Sequence, residues 1–289
     1  MSIGSLPRRA VAEFAAAHTA AVLQIKESFA DRLMDLAASR LFHEVELPLL
    51  EVLVDMEWAG IRVDLAELSR LSRDFARQLE IIERNIFEEA GVEFNINSTP
   101  QLRHVLFEKL QLPVLKKTKT GPSTDADVLA QLAATGFRLP ALLLEYRELT
   151  KLKSTYVDAL PGNVAERTGR IHTTFVQIGA TTGRLSSHDP NLQNIPVRTE
   201  RGGLIRRCFI PSEGNRFVVA DYSQIELRLL AHLSRDGLLV DAFNKGGDVH
   251  RQTASVVFEV ELEQVTSEMR ERAKTINFAT IYGQGAFAL

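Results

Sequence analysis

One stretch constrains this chain more than any other: Arg216–Asp236, reading RFVVADYSQIELRLLAHLSRD. Its four apolar residues Phe217–Ala220 predict a short buried strand. Asp221 follows directly. Ile225, Leu229, Leu230 and Leu233 then recur at helical spacing, which predicts a helix from near Tyr222. A carboxylate at the end of a buried strand, on a strand-to-helix corner, is held rigidly enough to offer oxygen to a hard cation such as Mg²⁺. The same position also suits a helix N-cap, and spacing alone leaves both roles open.

Upstream the pattern is helical. Ala15–Leu36 reads as one amphipathic helix with Val22, Ile25, Phe29 and Leu33 as its stripe. Two apolar segments follow within Glu44–Val63. Asp64 then predicts the cap of a long helix from Leu65 to about Ala90, with Leu68, Leu71, Phe75, Leu79, Ile82 and Ile86 inside and Gly91 as its stop. Thr99 and Pro100 predict another helix start. Lys116–Thr124 reads as an exposed basic loop, followed by helices over Asp125–Ala133 and Pro140–Lys153. Strand character appears at Arg170–Ile178. Ile205–Ile210 and Phe217–Ala220, around the turn Pro211–Asn215, predict a hairpin. Thr181–Arg198 reads as a loop from its Gly, Ser, Asn and Pro content.

Asp248 predicts the cap of a helix that carries His250 at its start, and Thr266 or Ser267 the cap of the last helix. On that helix Arg270, Lys274, Phe278 and Tyr282 stand four residues apart, hence on one face. Two cations followed by two aromatics, along about 18 Å, suit an extended nucleotide. They equally suit a solvated face running into a packed one.

Composition narrows the function classes. The chain has 289 residues, 45% hydrophobic and 25% charged, enough for one large domain or two to three small ones. No apolar run reaches membrane-spanning length, and no secretory core follows Met1–Arg9. The single cysteine, Cys208, excludes an internal disulfide and fits a reducing compartment. No cysteine–histidine cluster has zinc spacing. The net charge of −3 does not mark a nucleic-acid binder, but its distribution is uneven. Between Arg184 and Arg207 five arginines (184, 198, 201, 206, 207) face two acids, Asp189 and Glu200. Lys116, Lys117 and Lys119 form a second basic group and Lys151 with Lys153 a third, the makings of a phosphate track.

Three blocks, in order TTGRLSSHDPNLQNIPVR (Thr181–Arg198), DYSQIELR (Asp221–Arg228) and RERAKTINFATIYG (Arg270–Gly283), resemble the family A DNA polymerases, the bacterial DNA polymerase I group. Asp221–Arg228 is similar to motif A of that family and Arg270–Gly283 to motif B. Weaker likeness runs from about Leu41 to Leu289. The resemblance implies an α/β (α+β) fold, part of a right-hand polymerase. Its parts would be a remnant of a 3′–5′ exonuclease-like domain (1–40), the start of the palm (41–64), a helical thumb (65–156), an antiparallel-sheet palm with motif A (157–235) and partial helical fingers with motif B (236–289).

The resemblance further implies template-directed DNA synthesis with primer–template DNA and deoxynucleoside triphosphates as partners and two Mg²⁺ ions as cofactors. Asp221 and the Tyr222 carbonyl would be metal ligands, and Asp221 and Lys274 the catalytic residues. Tyr222, Gln224, Glu226, His250, Arg270, Lys274, Phe278 and Tyr282 would bind the nucleotide, with Glu226 filling the space of a ribose 2′-hydroxyl. Lys151, Arg184, Asn191, Gln193, Asn194 and Arg198 would bind DNA. A monomer in the bacterial cytoplasm, associated with the nucleoid and not with a membrane, is the expected setting. The sequence departs from the family pattern at Ala279, where glycine is common, at Gln284–Gly285, and in two further places that bear on the chemistry. Phe14 and His18 occupy positions where the family's exonuclease motif has tyrosine and aspartate. The family's second metal carboxylate lies in a His-Asp-Glu string, and none exists in this sequence. The expectation is therefore a polymerase fragment that is inactive alone; the alternative is a non-catalytic primer–template binding module.

Overall fold

The computed structural model describes residues 7–197, 199–281 and 283. The chain divides into two compact units, Met1–Phe217 and Val218–Leu289. Asp221 and Lys274 both fall in the second unit, whereas Arg198 and Tyr282 lie outside the described residues.

The first unit begins with helix α1 (Arg8–Asp35), which buries none of its residues; the predicted stripe Val22, Ile25 and Phe29 stays exposed. Helix α2 (Leu47–Ala59) leads to strand β1 (Arg62–Val63). Between them Gly60 sits at φ +57, and a Cβ there would come within 2.6 Å of the Ile171 carbonyl oxygen, so only glycine fits. Helix α3 (Leu65–Ala90) has 26 residues, about 39 Å. Asp64 caps it by accepting from the Glu67 amide at 2.9 Å, and Gly91 ends it in the left-handed conformation. Its predicted stripe is buried, except that Leu79 is only partly so.

The stripe packs against α5 (Arg138–Leu152), and α4 (Ala126–Ala134) packs against α5 in turn, so that the three helices share the largest core of the described chain. Phe75, Leu68, Leu129, Leu132, Leu143 and Leu149 are its fully buried centre. The helix predicted from Thr99 runs Thr99–Arg103 with Ser98 as its N-cap and continues as a wider π-turn over His104–Lys109. The basic loop folds back as a small hairpin pairing Lys117–Thr118 with Gly121–Pro122.

The strands form short two-stranded antiparallel ladders. Strand β2 (Val164–Ala165) pairs with β3 (Arg170–Ile171), and β4 (Thr174–Val176) with β5 (Ser186–His188). The second ladder shapes the predicted Thr181–Arg198 loop. Its base is a buried hydrogen bond of 2.6 Å between the Thr173 and Ser187 hydroxyls.

The predicted hairpin between Ile205–Ile210 and Phe217–Ala220 does not form. Glu200–Arg207 is instead helix α6, capped by Thr199, whose hydroxyl accepts from the Gly202 amide at 3.1 Å. The turn of α6 at Gly202 approaches the Pro196 carbonyl so closely that a Cβ would stand 2.5 Å from its oxygen. Phe209–Ile210 then becomes strand β6 and pairs with β1, in register Arg62↔Ile210 and Val63↔Phe209. Phe217–Ala220 is left without a ladder, and Val218 and Val219 are each 91% exposed. A strand persists only where neighbours take up its amides and carbonyls; here the expected neighbour has gone to β1.

The second unit is helical: α7 (Ile225–Ser234), α8 (Gly237–Asn244), α9 (Val249–Phe258) and α10 (Ser267–Ile281). Its apolar packing is thin, with one cluster around Leu227, Ala242 and Val249 and another around Ala254, Val265 and Ala273. No described helix is long and apolar enough to cross a membrane.

Candidate functional site

In the second unit the motif of Asp221 is a corner without a strand. Residues 221–224 are irregular, and α7 starts at Ile225, three residues later than the sequence predicts. Gln224 bends the chain at φ 52, and its Oε1 is buried without a hydrogen-bond partner among the described residues. Asp221 is exposed, and Tyr222 is 82% exposed. Arg228, which pattern alone did not single out, holds the corner from behind. Its Nε donates to the Ser223 carbonyl at 3.0 Å, and its guanidinium lies 4.6 Å from the Phe243 ring centre. Glu226 stands in the first turn of α7, half-buried.

The second part of the site is built where α9 and α10 pack. Asp248 caps α9: its Oδ1 accepts from the His250 amide at 3.0 Å and the Arg251 amide at 3.2 Å. Its Oδ2 accepts from Arg270 Nε at 2.5 Å. Burial opposes ionisation of Asp248, but the Arg270 hydrogen bond and the two amides outweigh it and hold its pKa below the usual carboxylate value.

His250 is 2% exposed. Its Nδ1 lies 3.0 Å from Asn277 Nδ2, and its ring centre 5.9 Å from that of Phe278. Burial pushes its pKa below the ordinary imidazole value, against the pull of Asp248 and helped by Arg270 and Lys274.

Arg270, Lys274 and Phe278 share one face of α10, spaced about 6 Å apart along the axis, as i, i+4 periodicity requires. Arg270 also reaches Glu271 at 3.4 Å and Lys274 reaches it at 4.0 Å. Half-exposed cations of this kind remain free to exchange a carboxylate for a more highly charged phosphate.

In the first unit, Lys151, Asn191 and Asn194 line one groove of about 420 Å³ with Thr155, Tyr156 and Pro190. The amides build that wall before they can bind anything. Asn191 Oδ1 accepts from the amides of Gln193 and Asn194 at 3.1 and 3.3 Å, and Gln193 Oε1 accepts from the Ser187 amide at 3.2 Å. Tyr156 donates its hydroxyl to the Asn194 carbonyl at 2.6 Å. Lys151 is exposed and makes no ion pair among the described residues, and Arg184 is exposed on the turn before β5.

The three basic groups are thinner than the sequence suggests. Lys116 is paired with Asp125 at 2.8 Å and Lys153 with Asp158 at 2.6 Å. Arg201 reaches Glu145 at 2.6 Å, and Arg206 is spent on the carbonyls of Pro196 and Ile195. Lys117, Lys119, Lys151 and Arg207 are the exposed cations that remain without a described carboxylate partner.

For a hard cation, the Asp221 carboxylate and Tyr222 carbonyl are oxygen donors of the right kind. Among the described residues no group of three His, Cys, Asp or Glu side chains converges.

The profile of DNA polymerase family A matches residues 65–289. The chain is 48% identical over 280 residues to DNA polymerase I of Geobacillus stearothermophilus, covering 96% of this chain and 32% of that protein. It is 50% identical over 252 residues to DNA polymerase I of Pseudomonas aeruginosa, covering 87% of this chain and 28% of that protein. A solved structure, the POL domain of Pol1 from M. smegmatis in complex with DNA primer–template and dNTP, superposes with a TM-score of 0.85 at 45% identity, over 93% of this chain and 47% of that one. The chain thus spans about a third of the length of the curated relatives it matches.

Proposed function

From a chain that belongs to DNA polymerase family A, we propose the core chemistry of template-directed DNA synthesis, in which a primer 3′-hydroxyl attacks the α-phosphate of a deoxynucleoside triphosphate. The new P–O bond forms as the bond to pyrophosphate breaks, and the hydroxyl proton leaves to solvent or base. The observation that carries the reading is the co-facial array Arg270, Lys274 and Phe278 on α10, with His250 packed beside it.

On this reading Arg270 and Lys274 take the triphosphate, and Lys274 stabilises the charge that develops on departing pyrophosphate. Phe278, with Tyr282, meets sugar and base, and Glu226 guards the 2′ position. Tyr222 and Gln224, on the corner beside Asp221, complete the nucleotide pocket. Asp221 and the Tyr222 carbonyl would hold Mg²⁺, two ions in the whole enzyme, which when bound lower the pKa of the attacking hydroxyl and neutralise phosphate charge.

Lys151, Arg184, Asn191, Gln193, Asn194 and Arg198 would follow the duplex near the primer end, where minor-groove acceptors are nearly independent of sequence. Such contacts suit an enzyme that must copy any template. The setting would be the bacterial cytoplasm, at the nucleoid, and the working unit a monomer. A second reading, a primer–template binding module without turnover, is favoured by a single observation: among the described residues no group of three His, Cys, Asp or Glu side chains comes together as a metal site.

Primer extension separates the two. The experiment joins residues 1–289 to the C-terminal part of a close relative and compares it with 1–289 alone. Extension by the joined protein, lost in Asp221→Ala, supports the polymerase reading. Duplex binding without extension in both supports the binding module.

A further inference from the structure

We propose that Asn277 is a positioning residue that fixes the His250 ring as its Nε2–H tautomer, holding a proton donor ready for the triphosphate of an incoming nucleotide. The inference rests on the proposed function, in which His250 faces that triphosphate.

The geometry is a relay of three side chains between α9 and α10. Thr253 Oγ1 donates to Asn277 Oδ1 at 3.0 Å, and Asn277 Nδ2 donates to His250 Nδ1 at 3.0 Å. A ring nitrogen that accepts carries no proton, and a neutral imidazole has one, so the proton sits on Nε2. Nε2 itself hydrogen-bonds no described residue. The charged groups around the ring are Asp248 at the start of α9 and Arg270, Glu271 and Lys274 on α10.

Turned over, the Asn277 amide would give the opposite result. Thr253 would then donate to the Val249 carbonyl, 3.0 Å away on its own helix. Asn277 Oδ1 would take Nδ1–H, and Nε2 would be left only to accept. An acceptor has nothing to offer a polyanion. The tautomer is therefore the observable that decides.

The test uses the 289-residue chain labelled with ¹⁵N-histidine, with His250→Gln identifying the ring signals. The expected result is a neutral His250 carrying its proton on Nε2, whose signal shifts when dATP is added. Asn277→Asp, able only to accept, should move the proton to Nδ1 or hold the ring as imidazolium, and weaken fluorescent deoxynucleotide binding about threefold to tenfold. Thr253→Val, a milder change, should leave a mixture of tautomers. A wild-type ring protonated on Nδ1, or ring signals unchanged in Asn277→Asp, overturns the relay. A ring that behaves as expected but ignores dATP supports the relay and overturns the triphosphate assignment.

Discussion

Arg270 Nε donates to Asp248 Oδ2 at 2.5 Å while the other oxygen of Asp248 caps the helix that carries His250. One carboxylate thus ties the start of α9 to the side of α10 that carries Arg270 and Lys274. Removing it loosens two candidate ligands at once, in a unit whose apolar clusters are small.

Asp248→Ala should therefore destabilise the second unit by about 1–2 kcal/mol, from the lost cap and a partly exposed ion pair. The sign with pH is fixed. Asp248 has a lowered pKa in the folded chain, so its contribution is full at neutral pH and fades as pH falls from about 4 through that lowered value. Thermal unfolding at pH 7 and pH 3 checks this: the gap between wild type and variant should be clear at pH 7 and shrink at pH 3.

Asp221 is exposed and hydrogen-bonds no described residue. Asp221→Ala should change stability by no more than about 0.5 kcal/mol. In a chain joined to the C-terminal part of a relative, the same change should abolish primer extension and leave duplex affinity intact. Turnover like that of wild type would mean that the metal ligand has been misassigned.

Glu226 and Phe278 are predicted to guard different hydroxyls of the sugar. Glu226→Ala in the joined protein should admit ribonucleotides, and Phe278→Tyr should admit nucleotides that lack the 3′-hydroxyl. Incorporation ratios of ribo-, dideoxy- and deoxynucleotides measure both; unchanged ratios would refute the pocket.

Duplex binding by the 289 residues should depend on salt through few cations. Lys117 and Lys119 remain exposed at the tip of the small basic hairpin, whereas Lys116 is held by Asp125. Replacing Lys117 and Lys119 together by alanine should weaken binding equally for all sequences and lower the slope of log K against log salt by about two. Replacing Lys153, already paired with Asp158, should leave that slope unchanged.

Phe75 is fully buried in the core between α3, α4 and α5. Phe75→Ala should cost the first unit about 3–5 kcal/mol. Unfolding followed by far-UV circular dichroism should move to lower urea concentration.

What the sequence determined by itself is local. Asp64 and Gly91 bound α3, Asp125 and Asp248 cap their helices, and the stripe from Leu68 to Ile86 is buried as its period predicts. Each of these depends on contacts three or four residues apart, which sequence carries directly. The order of the three blocks likewise identifies the family, because side-chain chemistry can be matched without knowing where it lies.

Only tertiary structure decided pairing and burial. Phe217–Ala220 has the composition of a strand, yet Phe209–Ile210 pairs with β1 and leaves Val218 and Val219 exposed. Lys153 and Arg201 count as basic in the sequence, but Asp158 and Glu145 take them up. His250 reads in the sequence only as a residue at a helix start; its neighbours Asn277 and Phe278 stand 27 and 28 positions later. A strand's partner, a cation's counterion and the cover of a ring all come from distant parts of the chain, so their energies exist only once the chain has folded.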